Sequence, residues 1–193
     1  MDKSYNQIVS LLDDKLDKPT FLKVQFTGWE RCEKGHNYGP AVRNHYLMHF
    51  VVKGKGVFSK YGKSYQLYPG NGFLIVPDEI TTYTADLHNP WEYYWVGFVG
   101  AEAENLLSQF GISAENPVFS FNLKAMEQPL AELIQNKPHP GSDFLMLSAL
   151  FKLFANLAVK PSGQNSELDA AYYVSRATEF IDTNYAYELT VEK

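Results

Sequence analysis

A single cysteine, Cys32, stands among the 193 residues. That excludes an internal disulfide and any cysteine-based zinc site, and it suits a reducing compartment. No local motif surrounds Cys32, so it reads as a part-buried thiol rather than a nucleophile. Long hydrophobic runs are also missing. The opening MDKSYNQIVSLLDDKLDK breaks its apolar residues with charges and lacks the core of a signal peptide, and no other stretch reaches the length of a membrane span. A cytoplasmic protein without membrane contact is expected. Positive charge is scarce as well: Lys and Arg number 17 against 22 Asp and Glu, a net charge of −5. Such a chain lacks the basic footprint that neutralises phosphates, so it should not bind nucleic acid by itself. No P-loop, GxGxxG turn, Ser-His-Asp order or plausible carboxylate pair is found. A non-enzyme without a cofactor is the expectation.

Aromatic residues are plentiful: 13 Tyr, 13 Phe and 3 Trp make up 15% of the chain. Tyr and Trp beyond what a core needs often line pockets for ligands with apolar faces and polar rims. From Phe21 to about Val99, short β-rich runs such as HYLMHFVVKG, GFLIVPD and WEYYWVGFVG alternate with Gly, Pro, Asn and Asp. This spacing predicts an antiparallel sandwich or barrel. After Gly100 the apolar residues recur at helical spacing in AEAENLLSQFG, LKAMEQPLAELIQN and SDFLMLSALFKLFANLAVK. The expected class is therefore α+β, an antiparallel jelly-roll barrel over 21–100 followed by helices over 101–160, with residues 1–20 as an N-terminal arm. In the last helix Leu147, Leu150, Phe151 and Phe154 belong to an apolar face too wide for one contact. They read as a dimer seam, or alternatively as a core contact within one subunit. A polar linker is expected over 161–169. A new amphipathic helix then follows, and Thr190 to Lys193 resembles an N-cap and acidic first turn. The expectation is that the chain stops just as a second domain, 170–193, begins.

The run HYLMHFVVKGKGVF, followed by YQLYPGNGFLIVPDEITTYTAD and WEYYWVGF, resembles the cupin-like effector domain of AraC-family transcription regulators. The tail YYVSRATEFIDTNYAYELTVEK resembles the opening of that family's helix-turn-helix domain. HNYGPAVRNHYLMHFVVKGKG and PWEYYWVGFVG look closest to a branch that controls oligosaccharide use in low-GC Gram-positive bacteria, α-galactosides such as raffinose and melibiose included. The resemblance implies a sugar effector, a homodimer, and DNA contact through the missing C-terminal domain alone.

Metal-binding cupins hold their ion with a His-x-His pair and a later His converging inside the barrel. Here His45 follows Gly39 at a suitable spacing, but the partner position is Leu47, and Thr81 and Thr82 stand where the last His belongs. His45 and His49 share a sheet face, but two ligands are too few for a firm site, and both read as packed or hydrogen-bonded histidines. No metal is expected. In the family's arabinose-binding member an arginine, a tyrosine and a His-x-Trp pair contact the sugar. The resemblance carries the tyrosine to Tyr83 and the pair to Tyr93 and Trp95, with Trp95 as the stacking plane. Tyr93 in place of His argues against arabinose. The arginine position falls near Gly39, and Arg43 is nominated as its substitute. Glu30, His36 and Tyr38 complete the candidate pocket, while Trp91 and Tyr94 are expected outside it. Core packing remains the alternative for the aromatics, and an exposed or ion-paired guanidinium for Arg43. Sugar binding is expected to shift the arm and dimer helices between two arrangements. A metal-dependent cupin enzyme and an effector-free dimerisation module stay as rivals.

Overall fold

The computed structural model describes residues 7–11, 20–135 and 139–158, with positions 174, 175, 177, 178 and 181. The expected linker and nearly all of the expected second domain lie outside the described residues. Two compact units divide the chain, Met1–Val159 and Lys160–Lys193. In the second, the described positions are helical. There Thr178 Oγ1 donates to the Val174 carbonyl at 2.9 Å.

In the first unit the strands are β1 (Gln7–Leu11), β2 (Lys23–Arg31), β3 (Asn37–Ala41), β4 (Tyr46–Lys53), β5 (Gly56–Lys60), β6 (Lys63–Leu67), β7 (Asn71–Ile75), β8 (Thr81–Ala85), β9 (Glu92–Val99) and β10 (Val118–Ser120). Three helices accompany them: α1 (Ala103–Ser108), α2 (Leu123–Gln135) and α3 (Ser142–Ala158). Antiparallel pairing gives a six-stranded sheet, β1-β2-β9-β4-β7-β10, and a four-stranded sheet, β3-β8-β5-β6. The two are packed face to face as a cupin-like jelly roll. Leu47, Val51, Phe73 and Ile75 of the larger sheet meet Phe58, Leu67, Tyr83 and Ala85 of the smaller one. Residues of the N-terminal arm form the edge strand β1, running from Gln7 opposite Glu30 to Leu11 opposite Phe26.

The back of the six-stranded sheet is covered as well. Val24, Met48, Phe50, Leu74, Val96 and Phe98 pack there against Leu107 of α1, Met126, Leu130 and Leu133 of α2, and Leu150, Leu153 and Phe154 of α3. Asn122 starts α2, its Oδ1 accepting the Ala125 N–H at 3.1 Å, the usual service of an N-cap. Thr27 Oγ1 of β2 donates to the Leu133 carbonyl near the end of α2 at 2.9 Å, satisfying an acceptor that the helix leaves open. No helix among the described residues is long and apolar enough to cross a membrane.

Of the four residues read as a dimer seam, Leu150 and Phe154 are core residues of this chain, with Phe154 6.0 Å from the Phe98 ring. The apolar face of α3 is wide because one side covers the sheet. Leu147 is half-buried and packs on the same core. Phe151 is 38% exposed and shares the outward face with Phe144 (79%) and Leu145 (53%).

One buried ion pair ties three segments together. Lys60 at the end of β5 donates to both carboxylate oxygens of Glu79, at 2.6 and 2.5 Å, and to the Ala114 carbonyl at 2.6 Å. Removing one partner strands the other charge away from water. Lys60→Met should therefore destabilise the chain by about 3–5 kcal/mol in a urea unfolding curve, and the double variant Lys60→Met/Glu79→Leu should recover most of that loss.

Candidate functional site

Between the sheets, toward one end, lies a cavity of about 580 Å³. Its wall is set by sheet register. Gly28 of β2, Trp95 of β9, His49 of β4 and Phe73 of β7 are successive cross-strand partners, so they form one row across the inner face. In the next row Glu30 stands opposite Tyr93. Gly28 is the seat of Trp95: a Cβ there would come within 1.9 Å of the indole. The absent side chain lets the ring lie along the strand, where it lines the cavity.

The smaller sheet contributes Tyr38 and Tyr83, direct partners of β3 and β8, whose rings stack at 5.3 Å and 8°. The Arg43 guanidinium lies 4.7 Å over Tyr38, and its Nη2 donates to the Tyr83 hydroxyl at 3.3 Å. The Asp78 N–H donates to the Arg43 carbonyl at 2.7 Å and joins the two loops at the mouth. Asp78 has φ +64°, a left-handed conformation that Asp tolerates better than most residues.

Six of the seven nominated ligand residues line this cavity: Glu30, Tyr38, Arg43, Tyr83, Tyr93 and Trp95. His36 does not, but its Nε2 lies 3.7 Å from a Glu30 oxygen. The Tyr93 hydroxyl donates to the other Glu30 oxygen at 3.0 Å. Burial pushes the phenols of Tyr83 and Tyr93 far above their ordinary range, so both remain protonated donors. As expected, Trp91 does not line the cavity, although it shares the inner face of the sheet. It has the parity of Tyr93 and Trp95, and it is fully buried in the interior beside them, its rings 5.6 Å from Tyr93. Tyr94 points the other way, toward the helix-covered face.

The sequence did not single out Phe26, Val42, Asn44 and Asp78 as lining residues, and it left His45 and His49 as packed or hydrogen-bonded side chains without assigning them to the pocket. His49 is 1% exposed, stacked on Phe73 at 4.3 Å and 3°. Burial first, then the nearby Arg43 charge, lowers its pKa well below 6.5, so the ring is neutral. Cys32, expected as a part-buried thiol without a motif, is buried, and Glu30, Cys32 and His36 each place a ligand atom within 4.8 Å of one another. Burial pushes the Cys32 thiol up to about 12 despite its hydrogen bond with Tyr93, so it stays protonated at neutral pH and inert as a nucleophile.

Residues 23–155 match the family model described as the AraC-like ligand binding domain. The chain is 32% identical over 176 residues to the Msm operon regulatory protein of Streptococcus mutans serotype c, covering 88% of this chain and 63% of that protein. It is 31% identical over 164 residues to the lactose operon transcription activator of Staphylococcus xylosus, covering 82% and 58%. It is 26% identical over 176 residues to the raffinose operon transcriptional regulatory protein of Pediococcus pentosaceus, covering 87% and 64%. The chain thus spans less than two thirds of the length of these regulators.

A neutral buried histidine makes stability depend on pH. The unfolded chain takes up a proton near pH 6.5 and the folded chain only well below it. The stability held above pH 6.5 is therefore lost progressively as pH falls toward the folded-state value. Urea unfolding between pH 7.5 and 5 should show His49→Phe with a flatter acid limb than the parent chain, by up to about 1.4 kcal/mol per pH unit.

Proposed function

Because the chain belongs to the AraC-like ligand-binding domain family, we propose that it is the sugar-sensing and dimerising part of a transcription regulator of carbohydrate-utilisation genes. It acts in the cytoplasm, is not an enzyme, and leaves DNA contact to a further domain. The observation that carries this reading is the half-aromatic, half-polar cavity. A sugar has apolar C–H faces and a rim of hydroxyls, so it needs a ring to stack on and fixed polar groups in the same space. Trp95 offers the plane, with Arg43, Glu30 and the Tyr83 and Tyr93 hydroxyls around it. The volume lies within the range of small-molecule sites, about 300–1,000 Å³. Relatives that regulate lactose and raffinose operons favour an oligosaccharide effector.

The strands that form the cavity wall also carry the helices on their other face. Sugar binding then biases two arrangements of helices and N-terminal arm, and so the spacing of the DNA-binding domains. Homodimerisation uses the outward face of α3, where Phe144, Leu145 and Phe151 are exposed, while Leu150 and Phe154 support that face from within.

Titration calorimetry with lactose and raffinose tests the sensing role. At least one should bind, and Arg43→Ala should weaken it about 10- to 100-fold by removing charge-assisted hydrogen bonds. If neither these nor other galactosides, glucosides or pentoses bind, the sensing role is wrong. Sedimentation tests the dimer: the parent chain should be dimeric and Phe144→Glu/Phe151→Glu monomeric. A dimer that survives both substitutions would place the seam elsewhere.

A further inference from the structure

His49 occupies a position that packing alone would give to a hydrocarbon. Its neighbours along the inner face of β4 are Leu47 and Val51, both buried, and its ring rests on Phe73 as a phenyl would. Tyr83, Tyr93 and Trp95 close around it, with ring centroids at 4.9, 5.1 and 6.4 Å. Yet among the described residues Nδ1 of this buried imidazole has no hydrogen-bond partner, and neither has the buried Nη1 of Arg43. Burying an unpaired polar atom is unfavourable, and a core that only had to be filled would use Phe or Leu here. Both unpaired atoms belong to side chains that line one cavity.

Charge in that cavity is equally specific. Arg43 is the single Lys or Arg among its described lining residues, and it is already engaged with Tyr83, whereas Glu30 and Asp78 contribute two carboxylates. The neutral state of His49 adds no positive charge. A phosphate dianion would meet more negative than positive charge there, from the half-buried Glu30 within and the exposed Asp78 at the mouth. An uncharged hydroxyl meets a better match, because it donates and accepts at once and a neutral imidazole does the same.

We propose that His49 is a ligand-reading residue which, together with Arg43, hydrogen-bonds hydroxyls of the innermost ring of an uncharged sugar, and that Glu30 and Asp78 make the cavity reject the phosphorylated form. The inference rests on the sensing role proposed above and deepens it. It also places the effector in a reaction sequence. The sugar must arrive by uptake without phosphorylation or by hydrolysis of a larger glycoside, and a phosphorylating step removes the signal.

Calorimetry with lactose, raffinose and lactose 6-phosphate tests this on the parent chain, His49→Phe, His49→Gln and Asp78→Asn. The neutral sugar that binds should lose about tenfold or more in affinity in His49→Phe, with partial recovery in His49→Gln, whose amide restores a donor and an acceptor. Lactose 6-phosphate should bind at least about tenfold more weakly than lactose, with the gap narrowed in Asp78→Asn. Should His49→Phe misfold, imidazole 15N shifts of His49 in the parent chain still decide the matter, since a bound sugar hydroxyl must move them. Sugar binding that leaves both the His49 nitrogens and the His49→Phe affinity unchanged overturns the inference but keeps the sensor. Equal or tighter binding of the phosphate overturns the charge selection. Failure of every neutral sugar to bind the parent chain overturns the sensing role itself and this inference with it.

Discussion

The structure depends on two strands, β4 and β9, that are covered on both faces. Successive residues of a strand point to opposite sides, so each strand supplies two environments in alternation. Along β9, Tyr93 and Trp95 face the cavity while Tyr94, Val96 and Phe98 face the helices. Along β4, Leu47, His49 and Val51 face inward and Met48 and Phe50 outward. A slip of one residue would exchange the two sets and put Val96 where Trp95 stands. The register is thus held from both sides, by a hydrocarbon layer behind and an aromatic box in front. Neither face can be rearranged without disturbing the other.

Polar ties reinforce this sharing. Thr27, one residue from the Trp95 seat at Gly28, is bonded to the end of α2. At the mouth, Asp78 holds the Arg43 backbone, and its neighbour Glu79 is clamped by Lys60, which also holds the Ala114 carbonyl between α1 and β10. The loop next to the cavity and the segment leading into the helical layer therefore share one buried cation. Such contacts have few alternative partners, because a buried ion pair is satisfied only in a narrow set of geometries. The mouth and the segment between α1 and β10 are thus joined by bonds as well as by packing.

Much of this was legible in the sequence, and the failures have physical causes. The change from strand-like runs to helical spacing near Gly100 marked the two layers, because hydrophobic period follows secondary structure. The resemblance nominated Tyr83, Tyr93 and Trp95, and Arg43 was nominated at a position displaced from the family pattern; all four line one cavity. Trp91 stays out of the cavity despite sharing the parity of Tyr93 and Trp95, because it is stacked in the filled part of the interior with Phe73. His49 was left as a packed or hydrogen-bonded histidine and so missed as a lining group, since the sequence does not show that its neighbours would be Phe73, Tyr83 and Tyr93. Leu150 and Phe154 could not be divided from Phe151 in advance, because helical period reveals a wide apolar face but not what covers each part of it. Asp78 offered no signal at all: a loop residue beside a cavity is put there by tertiary structure.

Among the described residues the interior stays open on one side although it holds many large rings. Phe58, Phe73 and Trp91 are completely buried and stacked on one another, with centroids 4.5 Å apart for Phe58 and Phe73 and 6.1 Å for Phe73 and Trp91. These three rings fill one part of the space between the sheets. In the other part the rings lie against the walls instead: Trp95 on Gly28, Phe26 on Gly97, and Tyr38 on Tyr83. At two of these places glycine gives up a side chain so that a ring can lie along the strand. A protein that merely closed its core would put side chains into that volume, because close packing is favoured wherever nothing else must fit. Two glycines that keep aromatic rings against the wall are the opposite choice, and they maintain a space bounded by Arg43, Glu30 and two phenol hydroxyls. The plugged, effector-free module is therefore the weaker account of this interior.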